Sequence, residues 1–452
     1  MPAETGGLLP PPALREARFP EPVLEVLRTL ARAGHRSWVV GGAVRDVLLG
    51  RRRDVAADVD IATPARPDQV SALFRKVIPT GAEHGTVTVV AGGVPIEVTT
   101  FRGEGAYLDG RRPSAVTFLG DVDEDLARRD FTVNALAWDP LAGELRDPFG
   151  GLADLAARLL RAVGDPAARF GEDGLRPLRA VRFVAQLGFA LDPPTGDAIA
   201  PSLPITAKVA VERVTAELSK LLLAPHARAA LELLAETGLL ELMLPALAEL
   251  PPELRRHAFE ATVQSPPELP SRLAALLHPL AAGGTGASAA EDVRGILVGL
   301  RLPGHVVTLA SELVARHGCL LSPSRLAAPE APAEVRRWLA AAGPGRAAAI
   351  LALWRADARS LCPPARAEAE LSSLDRFEAR LAEAERARPP LSVSELALDG
   401  RAVMALLGLG PGAEVGEALR HLFERVLDEP SLNTREALSS ELQRWWRGRG
   451  AR

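Results

Sequence analysis

Apolar and polar positions follow two different rhythms along this chain, and the change between them falls near residue 152. Before it, short β-rich runs recur. SWVV (37–40) and DVDIAT (58–63) read as strands, and TVTVVAGGVPIEVTTF (86–101) reads as a hairpin around Gly92-Gly93. PVLEVLRTLARA (22–33) and AVRDVLLG (43–50) have the helical period instead, the second closed by Gly50. GEGAYLDGRRPSA (103–115) is a long polar loop before the strand VTFL; DFTVNALAWD (130–139) follows, and LRDPFGG (145–151) is a break. After 152 the period is helical almost throughout. AAGGTGASAA (281–290) interrupts it as a flexible linker by composition, and the Pro-rich residues 1–20 read as a loose arm. The pattern predicts a small sheet-containing head followed by helices.

Composition changes this picture in three places. A length of 452 residues is too great for one core, so several domains are expected. The net charge is −4, so a site for a polyanion must come from local clustering. Lys76, Lys208 and Lys220 are the only lysines, so arginine carries almost all the positive charge, and arginine suits bidentate phosphate or base contacts. Cys319 and Cys362, the only cysteines, exclude a disulfide framework or a Cys-rich zinc site. No run of apolar residues is long enough to span a bilayer, and MPAETGGLLPPP has no signal-peptide pattern. A soluble, cytoplasmic protein without a membrane partner is expected.

The candidate chemistry lies in four stretches. WVVGGAVRD is a strand, a Gly-Gly turn and a helix start: Gly41 and Gly42 let a backbone approach phosphate, and Arg45 adds charge one turn in. In DVD, strand alternation puts Asp58 and Asp60 on one face, where a hard divalent cation relieves their repulsion; read alone, the same pattern fits a solvent-facing strand edge. Glu97, in IEVTTFR, is either a third metal ligand or a surface glutamate. Arg128-Arg129-Asp130 with Asn134 offers a ribose and phosphate clamp, or Asp130 caps the next helix. Residues 171–182, GEDGLRPLRAVR, place Glu172-Asp173 before Arg176, Arg179 and Arg182. A solvated helix face has such a pattern, and so does a site that reads a flat group with donors and acceptors.

GGAVRD, DVD, RRDFTVNAL, EDGLR and ERVTAEL (212–218) occur in this order, and together they resemble the bacterial-type class II tRNA nucleotidyltransferase and poly(A) polymerase family. The likeness covers residues 35–240 strongly and the segment 398–438 more weakly. It implies an α/β nucleotidyltransferase head with a small, polymerase-beta-like mixed sheet, followed by an all-α neck, body and tail. The expected divisions are an arm and helix at 1–33, head at 34–151, neck at 152–225, body at 226–370 and tail at 371–452.

The resemblance further implies two Mg2+ held by Asp58 and Asp60, phosphates cradled by Gly41, Gly42 and Arg45, and ribose recognised by Arg129 and Asp130. Asp173 and Arg176 would serve as a protein template for the incoming base, with Arg179 and Arg182 as further contacts. Gly174 stands where relatives often carry proline, and Pro177 places the helix start at about 173–174. PTGAEHGTVTV (79–89) is similar to the tRNA enzymes rather than to poly(A) polymerases, and the loop holding Asp109 and Arg112 favours addition of the full CCA from CTP and ATP. Addition of A alone, poly(A) synthesis and addition of the two cytidines alone are the alternatives. The implied partner is the acceptor arm of tRNA.

Two further readings concern the helical part. Residues 255–280 look like a worn HD-type phosphohydrolase segment: His257 and His278 remain, but Pro279 follows where a ligand aspartate is needed. Read this way the two histidines are isolated and form no binuclear site. A non-catalytic RNA-binding protein is the other reading, against which Asp58 and Asp60 speak. At the end of the chain, QRWWRGRGAR offers stacking and charge to RNA, or a frayed helix.

Overall fold

Strand β1 (Trp38–Val40) has every residue buried, and its two flanks are both filled by antiparallel partners. In the computed structural model, which describes residues 10–51, 59–104, 116–281, 286–319, 331–343, 345–361 and 363–449, it lies inside a seven-stranded sheet. The other members are β2 (Asp60–Thr63), β3 (Val77–Gly81), β4 (Thr86–Ala91), β5 (Val94–Thr100), β8 (Ala137–Asp139) and β9 (Glu144–Arg146). The order is β3-β4-β5-β2-β1-β8-β9, and only β2 and β5 pair in parallel, so the sheet is mixed as expected. Strands β6 (Arg102–Glu104) and β7 (Val116–Phe118) form a separate antiparallel pair.

The alternation read from the sequence sets the packing. Trp38, Val40, Ala62, Phe101 and Ala137 turn to one side of the sheet and close over Val122 and Leu126 of the Val122–Ala127 helix. The expected hairpin pairs Ala91 with Val94 across Gly92-Gly93, both glycines having positive φ. The chain divides into two compact units, Met1–Pro245 and Ala246–Arg452.

Some local expectations are corrected. Within the expected loose arm, a short helix, Pro12–Glu16, buries Leu14, and Phe19 is buried too. The helix expected from about 173–174 begins at Arg176 instead. Asp173 is extended and its carboxylate accepts the Leu175 N–H at 3.0 Å, which turns the chain between two helices rather than starting one. Pro177 then sits in the first turn, where no backbone donor is lost. Half of the expected linker is helical, since a helix runs Gly286–Gly299; residues 282–285 lie outside the described residues. Asp58, Asp109 and Arg112 also lie outside them.

The second unit, as described, is helical. Trp338, Trp354 and Phe377 pack ring on ring, with the Trp338 and Phe377 centroids 5.0 Å apart and edge to face. A second core gathers Val403, Leu422, Val426, Leu438 and Leu442. The last helix continues to Arg449 because Trp445 stacks on His421 at 4.9 Å and packs on that core, so the terminus is no frayed end up to that residue.

Candidate active site

The carboxylate edge comes first. Parallel pairing of β2 and β5 sets Asp60 directly beside Glu97, and both side chains are exposed while their neighbours Ile61, Ile96 and Val98 are buried. Adjacent strands lie about 4.8 Å apart, so two like charges at one register position repel unless a cation or donor lies between them. Oxygen donors of this kind suit Mg2+. Strand pairing thus brings Glu97 to the position that alternation along DVD prepares.

The Gly-Gly turn meets the RRD segment. Gly41 has φ +71°, and a Cβ there would lie 2.9 Å from Arg129 Nη1, so glycine both permits the turn and admits the guanidinium. Arg129 Nε is buried with no hydrogen-bond partner among the described residues, although its Nη2 reaches Asp125 at 3.5 Å. A buried cationic donor left open is costly unless an acceptor arrives.

Arg45 lies beside the turn, its Nη2 3.5 Å from where a Cβ on Gly42 would stand. It is 4% exposed, donates to Asp46 at 2.9 Å and to Asn134 Oδ1 at 2.5 Å, and lies over the Phe183 ring. Asn134 passes the connection on, donating to Asp130 Oδ1 at 3.0 Å. The Phe131 N–H donates to the same oxygen at 2.8 Å. Arg179 fills the other oxygen with Nε at 2.8 Å and Nη2 at 2.6 Å. All four acceptor positions of Asp130 are therefore taken by protein donors. Asp130 caps no helix, since the short 3-10 turn Thr132–Asn134 has no side-chain cap bond. Burial alone would push this carboxyl up, but Arg179 beside it, the Asn134 hydrogen bond and Arg176 outweigh burial and hold it at about 2.

The chain of contacts continues into ERVTAEL. Glu217 is buried; its Oε2 accepts from Arg182 Nε at 2.7 Å and its Oε1 lies 3.8 Å from Arg179. Burial lowers the pKa of Arg182 against the pull of Glu217, whereas Asp130 raises that of Arg179. One turn before Glu217, the helix Val211–Leu222 also supplies Arg213, which donates to Asp173 Oδ2 at 2.8 Å. Arg176 is fixed from the other side. It donates to the carbonyls of Arg169 and Arg128, each at 2.9 Å, and closely to Glu172.

These side chains wall one cleft of about 270 Å3, lined by Arg128, Arg129, Asp130, Asp173, Leu175, Arg176, Arg179 and Arg213. Five arginines against two aspartates make it a cationic pocket with fixed donors and acceptors. Gly174 forms its turn because a Cβ there would meet the Ile205 carbonyl oxygen at 2.7 Å. Proline or alanine would not fit that approach. Arg182 lies off the cleft and acts on it through Glu217.

Arg213 and Glu217 lie in ERVTAEL, where the sequence alone assigns them no role. Their four-residue spacing on a helix was the available signal. The histidines of the second unit are also corrected: His257 and His278 are not isolated, since Asp357 and His317 join them. No local pattern flags those two partners, which stand alone in Ala-rich and apolar helices.

Residues 37–161 match the family described as Poly A polymerase head domain, and residues 188–250 match the one described as probable RNA and SrmB- binding site of polymerase A. The chain is 41% identical over 418 residues to a CCA-adding enzyme of Geobacillus thermodenitrificans, covering 92% of this chain and 94% of that protein. It is similar to the crystal structure of the Bacillus stearothermophilus CCA-adding enzyme in complex with CTP, with a TM-score of 0.73, 35% identity and coverage of 98% and 99%. The Thermotoga maritima CCA-adding enzyme complexed with tRNA shares the fold at a TM-score of 0.65 and 19% identity, over 96% and 98% of the two chains.

Proposed function

Because this chain belongs to the family of CCA-adding enzymes, we propose that it adds C, C and A to the 3′ end of tRNA from CTP and ATP, releasing pyrophosphate at each step. The observation that carries the reading is the run of contacts from Arg45 through Asn134, Asp130 and Arg179 to Glu217, which joins three of the five motifs and the helix that follows EDGLR around one cationic cleft. A solvated arginine face would not spend buried aspartate and glutamate on holding its guanidiniums still.

The substrate classes follow from the donors. The triphosphate is drawn to the cleft by arginines, with the open Nε of Arg129 as one donor for it or for the ribose. Asp130, whose acceptors are all used, positions Asn134, Arg179 and the turn beside Arg129; it was expected to meet the ribose itself. Arg45 likewise positions Asn134, and its Nη2 stays beside Gly42 at the turn that would cradle phosphate. Asp173 and Arg176 present an acceptor and a donor to the base edge, each oriented by a partner, Arg213 and Glu172. A fixed pair of this kind selects a base without a nucleic-acid template.

Asp58, Asp60 and Glu97 are the residues that would hold Mg2+, and Asp60 with Glu97 fit that role by register and exposure. Bound there, the metal would supply activation of the RNA 3′-hydroxyl and charge relief for the leaving pyrophosphate. We divide the work between head (34–151) and neck (152–225), which take the nucleotide, and body (226–370) and tail (371–452), which take the tRNA acceptor arm by shape and phosphates. Among the described residues no helix is long and apolar enough to cross a membrane. We place the enzyme in the cytoplasm, where its substrates are.

The test uses tRNA transcripts ending before the CCA, after one C and after two, each with Mg2+ and CTP, ATP or both. Growth of the first by three nucleotides is expected. Extension only of the C-C-ended transcript would make this an A-adding enzyme, and long ladders with ATP alone a poly(A) polymerase.

A further inference from the structure

In the second unit, three helical segments bring ligand atoms to one buried point. His257 comes from the Pro252–Gln264 helix, His278 from the turn His278–Ala281 and Asp357 from the Ala347–Arg359 helix. His257 Nε2 and His278 Nε2 are 3.1 Å apart. Asp357 Oδ1 lies 2.9 Å from the first and 3.7 Å from the second.

The partners of the other ring nitrogens fix which atoms carry hydrogen. His278 Nδ1 faces the Ala275 carbonyl at 2.7 Å, so Nδ1 donates and Nε2 presents a lone pair. Ser360 Oγ spends its hydrogen on the Asp357 carbonyl at 2.7 Å, so it accepts from His257 Nδ1 at 3.0 Å. His257 Nε2 therefore also presents a lone pair. Two imidazole nitrogens and a carboxylate oxygen thus converge within 3.7 Å of one another. A cation reconciles the three.

We propose that His257 Nε2, His278 Nε2 and Asp357 Oδ1 bind one first-row transition dication, Zn2+ by donor set, which ties these three segments of the helical unit together. Ligand atoms about 2.0–2.1 Å from a tetrahedral zinc lie about 3.3 Å from one another, and the three separations here, 2.9, 3.1 and 3.7 Å, bracket that value. His317 donates to the second oxygen, Asp357 Oδ2, at 3.0 Å and holds the carboxylate in place. The Ala275 carbonyl and Ser360 hydroxyl do the same for the two imidazoles. Such outer partners are what metal-binding histidines and carboxylates carry. Two imidazoles with a carboxylate suit zinc over Mg2+, so this ion differs from the one proposed for the head. Three protein ligands leave a fourth position to water.

The test uses the full-length, tag-free chain. It is produced with zinc in the medium, dialysed against metal-free buffer, and its metal content measured by mass spectrometry. About one equivalent of zinc per chain is expected. Stripped protein titrated with Co2+ should develop the intense visible bands of a tetrahedral ion, saturating at one equivalent. Chelation should lower the thermal midpoint by several degrees, restored by Zn2+. His257→Gln, at the most exposed of the three ligands, should lose both the retained zinc and the bands. Wild-type protein that retains no metal and leaves Co2+ with its weak aqueous spectrum would overturn the proposal, with a proton filling the site instead. So would a folded His257→Gln variant with unchanged metal content. If that variant does not fold, the wild-type Co2+ titration decides alone.

Discussion

Arg179 grips a single oxygen of Asp130 with two N–H groups, at 2.8 and 2.6 Å, inside a carboxylate environment that is otherwise buried. The carboxyl sits at about 2 against an ordinary 3.8. Its folded value is depressed, so the stabilisation is present above about pH 4 and is lost as pH falls toward 2. The shift corresponds to about 2 kcal/mol. Asp130→Asn leaves Arg179 partly uncompensated and should destabilise the first unit at neutral pH by about 3–5 kcal/mol. Unfolding followed at about pH 6 and about pH 3 should show the gap between wild type and variant narrowing at the lower value. An equal gap at both would show that the pair is not ionised.

Arg213 donates to Asp173 Oδ2, so it tests the template through its support. Arg213→Ala should lower discrimination against UTP and GTP by roughly tenfold, within the 1–3 kcal/mol of one fixed polar contact. Arg176→Ala should relax nucleotide choice further while tRNA binding changes little. Single-nucleotide incorporation assays with each triphosphate check both. Unaltered selectivity in both variants would remove Asp173 and Arg176 from base reading.

Asp60 and Glu97 share one register position on β2 and β5. Asp60→Ala should reduce transfer by on the order of 10²–10³-fold or more, the scale of losing one electrostatic group that acts on the reacting atoms. Binding of tRNA, measured by filter retention, should stay within a few-fold. Glu97→Ala should show a smaller loss that rises in Mg2+ concentration partly restore. Asp60→Ala with wild-type turnover would dissociate this edge from the reaction.

Gly174 approaches the Ile205 carbonyl too closely for any side chain. Gly174→Ala should cost about 1–3 kcal/mol of stability by overpacking. It should also displace Asp173 and so reduce nucleotide selectivity in the same assays. A variant as stable and as selective as wild type would mean that the turn moves freely.

Much of this was legible in the chain itself. Period-2 runs gave β1, β2 and the β4–β5 hairpin, since one buried face imposes alternation whatever the partner strand is. The ordered motifs gave the fold class and named Asp60, Asp130, Asp173 and Arg176. What could not be read was which charges hold one another. Arg182 and Glu217 are separated by 35 positions, and Arg45 and Asn134 by 89, so no spacing rule links them. Each of these side chains reads alone as an exposed polar or charged group.

The sequence by itself determined the local elements, the excess of arginine and the order of the motifs, because these depend on periodicity and residue type. Only the tertiary structure decided the functional direction of each group. It turned Arg45 inward, saturated Asp130, left Arg129 Nε open and set Glu97 beside Asp60 through parallel strand pairing. It also gathered His257, His278, His317 and Asp357 from four separate segments. The physical reason is the same throughout. A charge buried on folding must find a partner, and packing rather than neighbouring sequence chooses which one it finds.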